Sequence, residues 1–289
     1  MDAGGGSACD AAFASAAVAV EVGVRRDRLA ISVRVQSQPA RLEQLVALVM
    51  EQRALPVEKH HAESRLGLFH FSRRRVAGGV VNWQTMQHTL DWDERFRRGD
   101  TPWEDDSIPP VVARLFSEHV PIGASVLEVG CGLGTNSVWL AQHGYDVCAC
   151  DVSPEAVRLA TQRARLANVR IDFVVADILA DGARLPRADV VFDRGVLHTF
   201  TSQEGWNAFA AAVADLLDPG RLWLDVSGSA DTPGDPREAA RHGWPRLSLA
   251  SIATAAERHF EVLSVSRAAY GETHGRTDFL AFACVFRRR

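Results

Sequence analysis

The chain has 289 residues, 47% of them hydrophobic, with a formal net charge of −4 and a pI near 6.2. That supplies a full core plus an appendage, and it excludes the basic surface of a nucleic-acid binder and the ~20-residue apolar run of a membrane span. The odd count of five cysteines, without metal-ligand spacing, excludes a disulfide framework and a zinc site, so a reducing, cytoplasmic compartment and no metal are expected.

Residues 1–17 are rich in Gly, Ala and Ser and lack the early Lys or Arg of a signal peptide, so a loose tail is expected. Apolar and polar residues alternate over 18–24 and 29–35, on either side of a polar turn, which predicts two strands. Pro39 precedes Leu42, Leu45, Val46 and Val49 at helical spacing, and 57–61 and 66–71 return as strands. This order over 18–75 resembles part of an ACT domain, a small ferredoxin-like α+β module. The resemblance implies amino-acid binding or pairing between subunits. A unit this small buries too little surface alone. It is therefore expected to pair with a second copy, giving a homodimer, or to cap the rest of the chain. His60 and His61 would point to opposite faces of a strand and are read as surface residues. The basic run 73–75 and Gly78-Gly79 mark a linker, and 76–107 is read as linker and lid.

Residues 108–289 alternate between helix and strand. A helix over 109–116 precedes a strand at 125–129, a helix at 136–143 and a strand at 146–151. Ser153 and Pro154 open the next helix at N-cap and N1. Strands follow at 171–177 and 188–194. A helix over 206–217 stops at Asp218-Pro219-Gly220, before strands at 221–226, 260–266 and 278–286. Such alternation predicts an α/β, doubly wound sheet whose ligands sit at the carboxyl ends of its strands. Cys148 and Cys150 alternate on one strand and are expected to face the same side as small hydrophobes.

The first of these strands carries Glu128 and breaks into Gly130, Gly132 and Gly134; the second ends at Asp151. Glycines let the backbone turn sharply and let a ligand reach main-chain N–H groups. An acid about 20 positions on can accept from both ribose hydroxyls. The alternate-glycine spacing is not that of dinucleotide binders. With Glu128 two residues before the first glycine, the stretch resembles motif I of class I S-adenosylmethionine-dependent methyltransferases. The resemblance implies a Rossmann-like seven-stranded sheet with its last strand antiparallel, and S-adenosyl-L-methionine as cofactor. Glu128, Gly130 and Gly132 would face its methionine half and Asp151 its ribose. Asp177 would take the adenine amino group, Val152 and Ile178 the purine faces. Asp193 ends the fourth strand on the same rim, and the loop from Arg194 to His198 would run beneath the methionine.

Trp92, Arg95-Phe96, Gly99 and Thr101-Pro102-Trp103 resemble the N-terminal segment of the thiopurine methyltransferase group and its bacterial relatives acting on thiols and on selenium or tellurium oxyanions. The resemblance implies a lid, with Trp92 and Trp103 over the cofactor, and a small-molecule sulfur acceptor. A soft sulfur nucleophile needs little or no proton removal. Asp193-Arg194-Gly195-Val196 stands where base and glutamine N-methylases carry Asn-Pro-Pro-Tyr, so those acceptors are disfavoured. Arg95, Phe96, Arg194 and Tyr270 are the candidate acceptor contacts. For a sulfur amino acid such as methionine, Arg95, Arg194, Arg241 or Arg276 could hold the carboxylate. Glu204, Asp225, Tyr270 or Glu272 could hold the ammonium. Two alternatives stay open. One is O- or N-methylation of a specialised metabolite with His198 or His242 as general base, Asp193 and Tyr270 being further catalytic candidates. The other is a non-catalytic cofactor-binding sensor.

Overall fold

The computed structural model describes residues 18–25, 28–35, 91–104, 107–231, 247–270 and 279–289. Strands β1 (Val18–Arg25) and β2 (Arg28–Val35) pair antiparallel, as their alternation predicts. The tail 1–17, the expected helix around Leu42 to Val49, the expected strands at 57–61 and 66–71, and His60 and His61 lie outside the described residues. So do Arg241, His242, Glu272 and Arg276.

A short helix, α1 (Trp92–Arg98), precedes the main α/β unit. It is capped by Asp91, whose carboxylate accepts from Glu94 N–H, and it ends at Gly99 in the left-handed conformation. There follow α2 (Pro110–His119), β3 (Ser125–Val129), α3 (Thr135–Gln142), β4 (Asp146–Asp151) and α4 (Pro154–Leu166). Next come β5 (Asp172–Val175), α5 (Ile178–Asp181), β6 (Ala188–Arg194), α6 (Gln203–Asp215) and β7 (Leu217–Gly228). The last elements are α7 (Leu249–Ala256), β8 (Phe260–Ala269) and β9 (Leu280–Arg288).

Seven strands form one sheet in the order β5-β4-β3-β6-β7-β9-β8, and β9 runs antiparallel to both neighbours. The chain winds outward from β3 through β4 to β5, then returns to place β6 on the other side of β3. The crevice above β3 and β6 is therefore the topological switch point, where such sheets bind ligands. Period-2 side-chain alternation splits the core between the two faces. Leu127, Val191 and Trp223 pack with Phe209 and Val213 of α6; Val126, Val190 and Leu224 pack with Phe116 of α2 and Leu140 of α3. Cys148 and Cys150 do contact the same core cluster, Cys150 fully buried and Cys148 partly.

Two expectations need correction, and one helix was not expected. The strand predicted over 171–177 is only Asp172–Val175, because the Asp177 carboxylate accepts from Leu179 N–H and caps α5 instead. The stop at 218–220 lies inside β7. The register against β6 jumps from Ala188↔Leu217 to Val190↔Leu222, so the intervening residues bulge out around Pro219, which has no N–H to give the ladder. Helix α7 has no counterpart in the sequence reading; Ser248 caps it by accepting from Ser251 N–H, and its Leu249 and Ile252 are buried. Among the described residues no helix is long and apolar enough to cross a membrane.

Candidate active site

The carboxyl ends of β3, β4, β5 and β6 open into a cleft of about 1100 Å³, counting the part continuous with solvent. Its floor is the turn after β3. Gly130 N–H and Cys131 N–H both donate to the Cys150 carbonyl, folding the turn back over the end of β4. Gly130 and Gly132 adopt φ of +69° and +52°. A Cβ on Gly130 would stand 2.1 Å from Val196 Cγ2, and one on Gly132 would stand 2.1 Å from Glu104 Oε1. The turn thus needs glycine for both conformation and space.

Asp151 ends β4 at the cleft wall, 8% exposed. Its Oδ2 accepts from Gly132 N–H at 3.0 Å and its Oδ1 from Ser153 N–H at 2.9 Å. Burial nevertheless pushes its carboxyl up from the ordinary range. Each carboxylate oxygen can accept a second hydrogen bond, which leaves capacity for a vicinal diol. Val152, 48% exposed, and buried Ile178 flank it, and Asp177 stands at the same wall. A large apolar side chain left open in a cleft, beside an acid oriented by two backbone N–H groups, suits a flat ring joined to a sugar. These residues fit the adenosine half of S-adenosylmethionine.

Trp92, Phe96, Trp103 and Glu104 roof the cleft. The two tryptophans meet edge to face with centroids 5.4 Å apart, and Phe96 meets Trp103 at 6.0 Å. Two carboxylates fasten this roof. Asp93 Oδ1 accepts from Ser153 Oγ at 2.6 Å and from Glu155 N–H at 2.9 Å, at the start of α4. Glu104 Oε1 accepts from Leu133 N–H at 3.0 Å, at the glycine turn. Glu104 lines the cleft, its carboxyl raised by burial, yet no pattern in the sequence marks it beyond its place after Trp103. Asn136 and Thr199 also line the cleft without having been foreseen.

Several expected contacts fall elsewhere. Glu128 is buried behind the turn, accepting from Asn136 Nδ2 and Ser137 Oγ, and it does not line the cleft. Burial pushes its carboxyl up to about 7, and its hydrogen bond holds the side-chain amide of Asn136. Asp193 is likewise internal: it accepts from Leu197 N–H and from Trp223 Nε1, and burial pushes its carboxyl up from the ordinary range. Facing it across the β6–β7 pair is Asp225, also fully buried, which accepts from Ser227 Oγ. Neither acid reaches the cleft. Arg95 lies over the Trp103 ring at 4.3 Å and donates to the Asp100 carbonyl and carboxylate, so it props the roof from outside. Glu204 is an exposed residue of the first turn of α6.

Arg194, His198 and Tyr270 do meet at the cleft. The Arg194 guanidinium carbon lies 4.8 Å above the Tyr270 ring and an Arg194 amino group donates to the Trp103 carbonyl. Burial pushes the Tyr270 hydroxyl up to about 12, so it keeps its proton. His198 Nδ1 accepts from Gly228 N–H at 2.8 Å. A neutral ring so bonded carries its proton on Nε2. Burial and the Arg194 charge hold it near 4, so His198 stays neutral and is a donor. The expected part as general base would need the other tautomer, with Nε2 free to accept.

Residues 126–220 match the family described as a methyltransferase domain. A ubiquinone biosynthesis O-methyltransferase of Xylella fastidiosa is 35% identical over 26% of this chain and 32% of its own length. A thiopurine S-methyltransferase of Gluconobacter oxydans is 33% identical over 23% of this chain and 30% of its own. The chain thus spans about a third of the length of these curated relatives. A protein solved in work on the conversion of a disulfide bond into a thioacetal group during echinomycin biosynthesis is 25% identical. That likeness covers 68% of this chain and 90% of that one, with a TM-score of 0.59. Residues 126–220 thus resemble a methyltransferase domain, and they lie within the longer seven-stranded sheet, β9 antiparallel, that the resemblance to class I S-adenosylmethionine-dependent methyltransferases implies.

Proposed function

We propose that the chain transfers a methyl group from S-adenosylmethionine to sulfur in a small-molecule acceptor. The observation that carries the acceptor is the hydrogen-bonding state of the cleft wall. His198 has its Nδ1 occupied by Gly228 N–H, Tyr270 keeps its proton, and Asp193 is sealed behind the wall. None of the three can act as a base on an acceptor. A thioether has no proton to lose and a thiol loses one readily, so sulfur suits a site of this kind. The partial match to a thiopurine S-methyltransferase accords with this reading, as the equally partial match to an O-methyltransferase accords with the second one below.

The bound cofactor would supply an electrophilic methyl on a sulfonium whose charge disappears as the methyl moves. The chain's own contribution is alignment and exclusion of water. Asp151 orients the ribose, and Val152 and Ile178 confine the ring. The Gly130–Gly132 backbone lets the amino-acid half lie close, and Trp92, Phe96 and Trp103 cover the cleft. Aromatic faces at that roof also favour a sulfonium by cation–π attraction, worth about 0.5–2 kcal/mol.

Glu104 favours a second reading, O- or N-methylation. It is a cleft-lining carboxylate with a raised pKa and could take a proton. One assay separates the two. Methyl-labelled cofactor is supplied with matched thiols, thioethers, phenols and amines, using wild type and Glu104→Gln. Transfer to thioethers that survives Glu104→Gln supports the sulfur reading. Transfer confined to phenols or amines and lost in that variant removes it.

A further inference from the structure

Resting on the methyl-transfer reading, we infer that the acceptor carries a carboxylate, bound by the Arg194 guanidinium together with His198 Nε2–H and the Tyr270 hydroxyl. The order of strands sets out the cleft from one end to the other. Ile178 and Asp177 follow β5, Asp151 ends β4, and the glycine turn follows β3. On the other side of β3, Arg194 ends β6, His198 is tied to the end of β7 through Gly228, and Tyr270 follows β8. The three polar groups therefore occupy the half beyond the ground fitted to adenosine.

They also converge. A Cβ on Gly195 would stand 2.2 Å from Tyr270 Oη and 3.4 Å from His198 Nε2, so both atoms crowd one point beside the Gly195 backbone. The His198 and Tyr270 rings are 5.6 Å apart, and Arg194 lies over the same Tyr270 ring. Each group is of a kind that donates: a guanidinium cation, an N–H set by its backbone partner, and a phenol hydroxyl. The complementary ligand has several lone pairs and a negative charge. A carboxylate meets that description, and hydrogen bonds to it from charged or buried donors are the strong kind. Among the described residues, the roof carboxylate facing this cluster is Glu104, which is held on the other side by Leu133 N–H. The methionine carboxylate of the cofactor is the competing occupant of Arg194, so the test is run with that position filled.

The full-length chain, saturated with S-adenosylhomocysteine, is titrated calorimetrically with 3-(methylsulfanyl)propanoate and separately with its carboxamide. The acid should bind at least roughly tenfold more tightly. Arg194→Met and Tyr270→Phe should each remove roughly tenfold of the acid's affinity, the scale of one charge-assisted hydrogen bond, and leave the amide unchanged. S-adenosylhomocysteine binding by each variant reports that it is folded. Equal affinity for acid and amide, undetectable binding of both included, overturns the inference. So does an Arg194→Met variant that loses S-adenosylhomocysteine while keeping its preference for the acid. An acid that binds the loaded protein but receives no labelled methyl counts against the methyl-transfer reading and leaves the carboxylate site standing.

Discussion

The two halves of the cleft are built differently. The half fitted to adenosine is made of short-range chemistry. Asp151 is oriented by Ser153 two residues away and by Gly132 on the turn of the preceding strand, and Asp177 caps the helix that begins with Ile178. The other half is assembled over long distances. His198 takes its tautomer from Gly228, Tyr270 arrives from beyond β8, and Arg194 reaches the roof at Trp103. A local motif can be conserved in meaning wherever the chain places it. A cluster gathered from three strand ends acquires its chemistry only when the sheet forms. The first half should respond to substitution in cofactor affinity, the second in acceptor recognition.

The largest test of that division is Asp151→Ala. It removes the carboxylate proposed to take the ribose and leaves Gly132 N–H and Ser153 N–H without their partner. The expected loss in cofactor affinity is roughly 3 kcal/mol, more than a hundredfold in Kd. Calorimetry with an unchanged Kd would break the assignment of this half.

Glu128 offers a comparable effect on stability instead of binding. Its folded pKa is raised to about 7 against an ordinary 4.5. The folded state therefore holds a proton that the unfolded chain has released. Stability from this group is present below about pH 4.5 and is lost as pH rises through about 7, by roughly 3 kcal/mol in total. His198 has the opposite sign: with a folded value near 4, its contribution is present above its unfolded pKa and lost as pH falls toward 4. Glu128→Gln keeps the neutral form at all pH values. Urea melts at pH 5 and pH 8 should show the variant gaining on wild type at the higher pH. Parallel behaviour of the two proteins would mean that Glu128 is ionised throughout.

A smaller effect tests the roof. Asp93→Ala removes two hydrogen bonds at the start of α4, resembling the loss of a helix cap and worth about 1 kcal/mol. Stopped-flow release of S-adenosylhomocysteine should quicken about fivefold, with acceptor preference untouched. The smallest effect belongs to Arg95→Ala, which loses the contacts with the Trp103 and Trp92 rings and exposed bonds to Asp100, about 0.5–1 kcal/mol. Its KM for acceptor should barely move. A KM that rose tenfold would return Arg95 to the acceptor site.

The sequence by itself determined the order of the strands, most of the helices, the glycine turn and the place of Asp151 and the aromatic residues beside it, because each is encoded by residues close together in the chain. Alternation marks a strand, glycine marks a positive φ, and Ser153-Pro154 marks a helix start whatever surrounds them. Tertiary structure decided what burial and distant partners control. Glu128 and Asp193 stand at strand ends like ligands, and only packing reveals that Asn136, Ser137 and Trp223 occupy them. Glu104 carries no pattern and becomes part of the cleft because the roof folds down onto Leu133. His198 looks like a base until Gly228, thirty residues away, takes its lone pair. A side chain's type is written in the sequence, but its proton is placed by whatever the fold brings to hydrogen-bond distance.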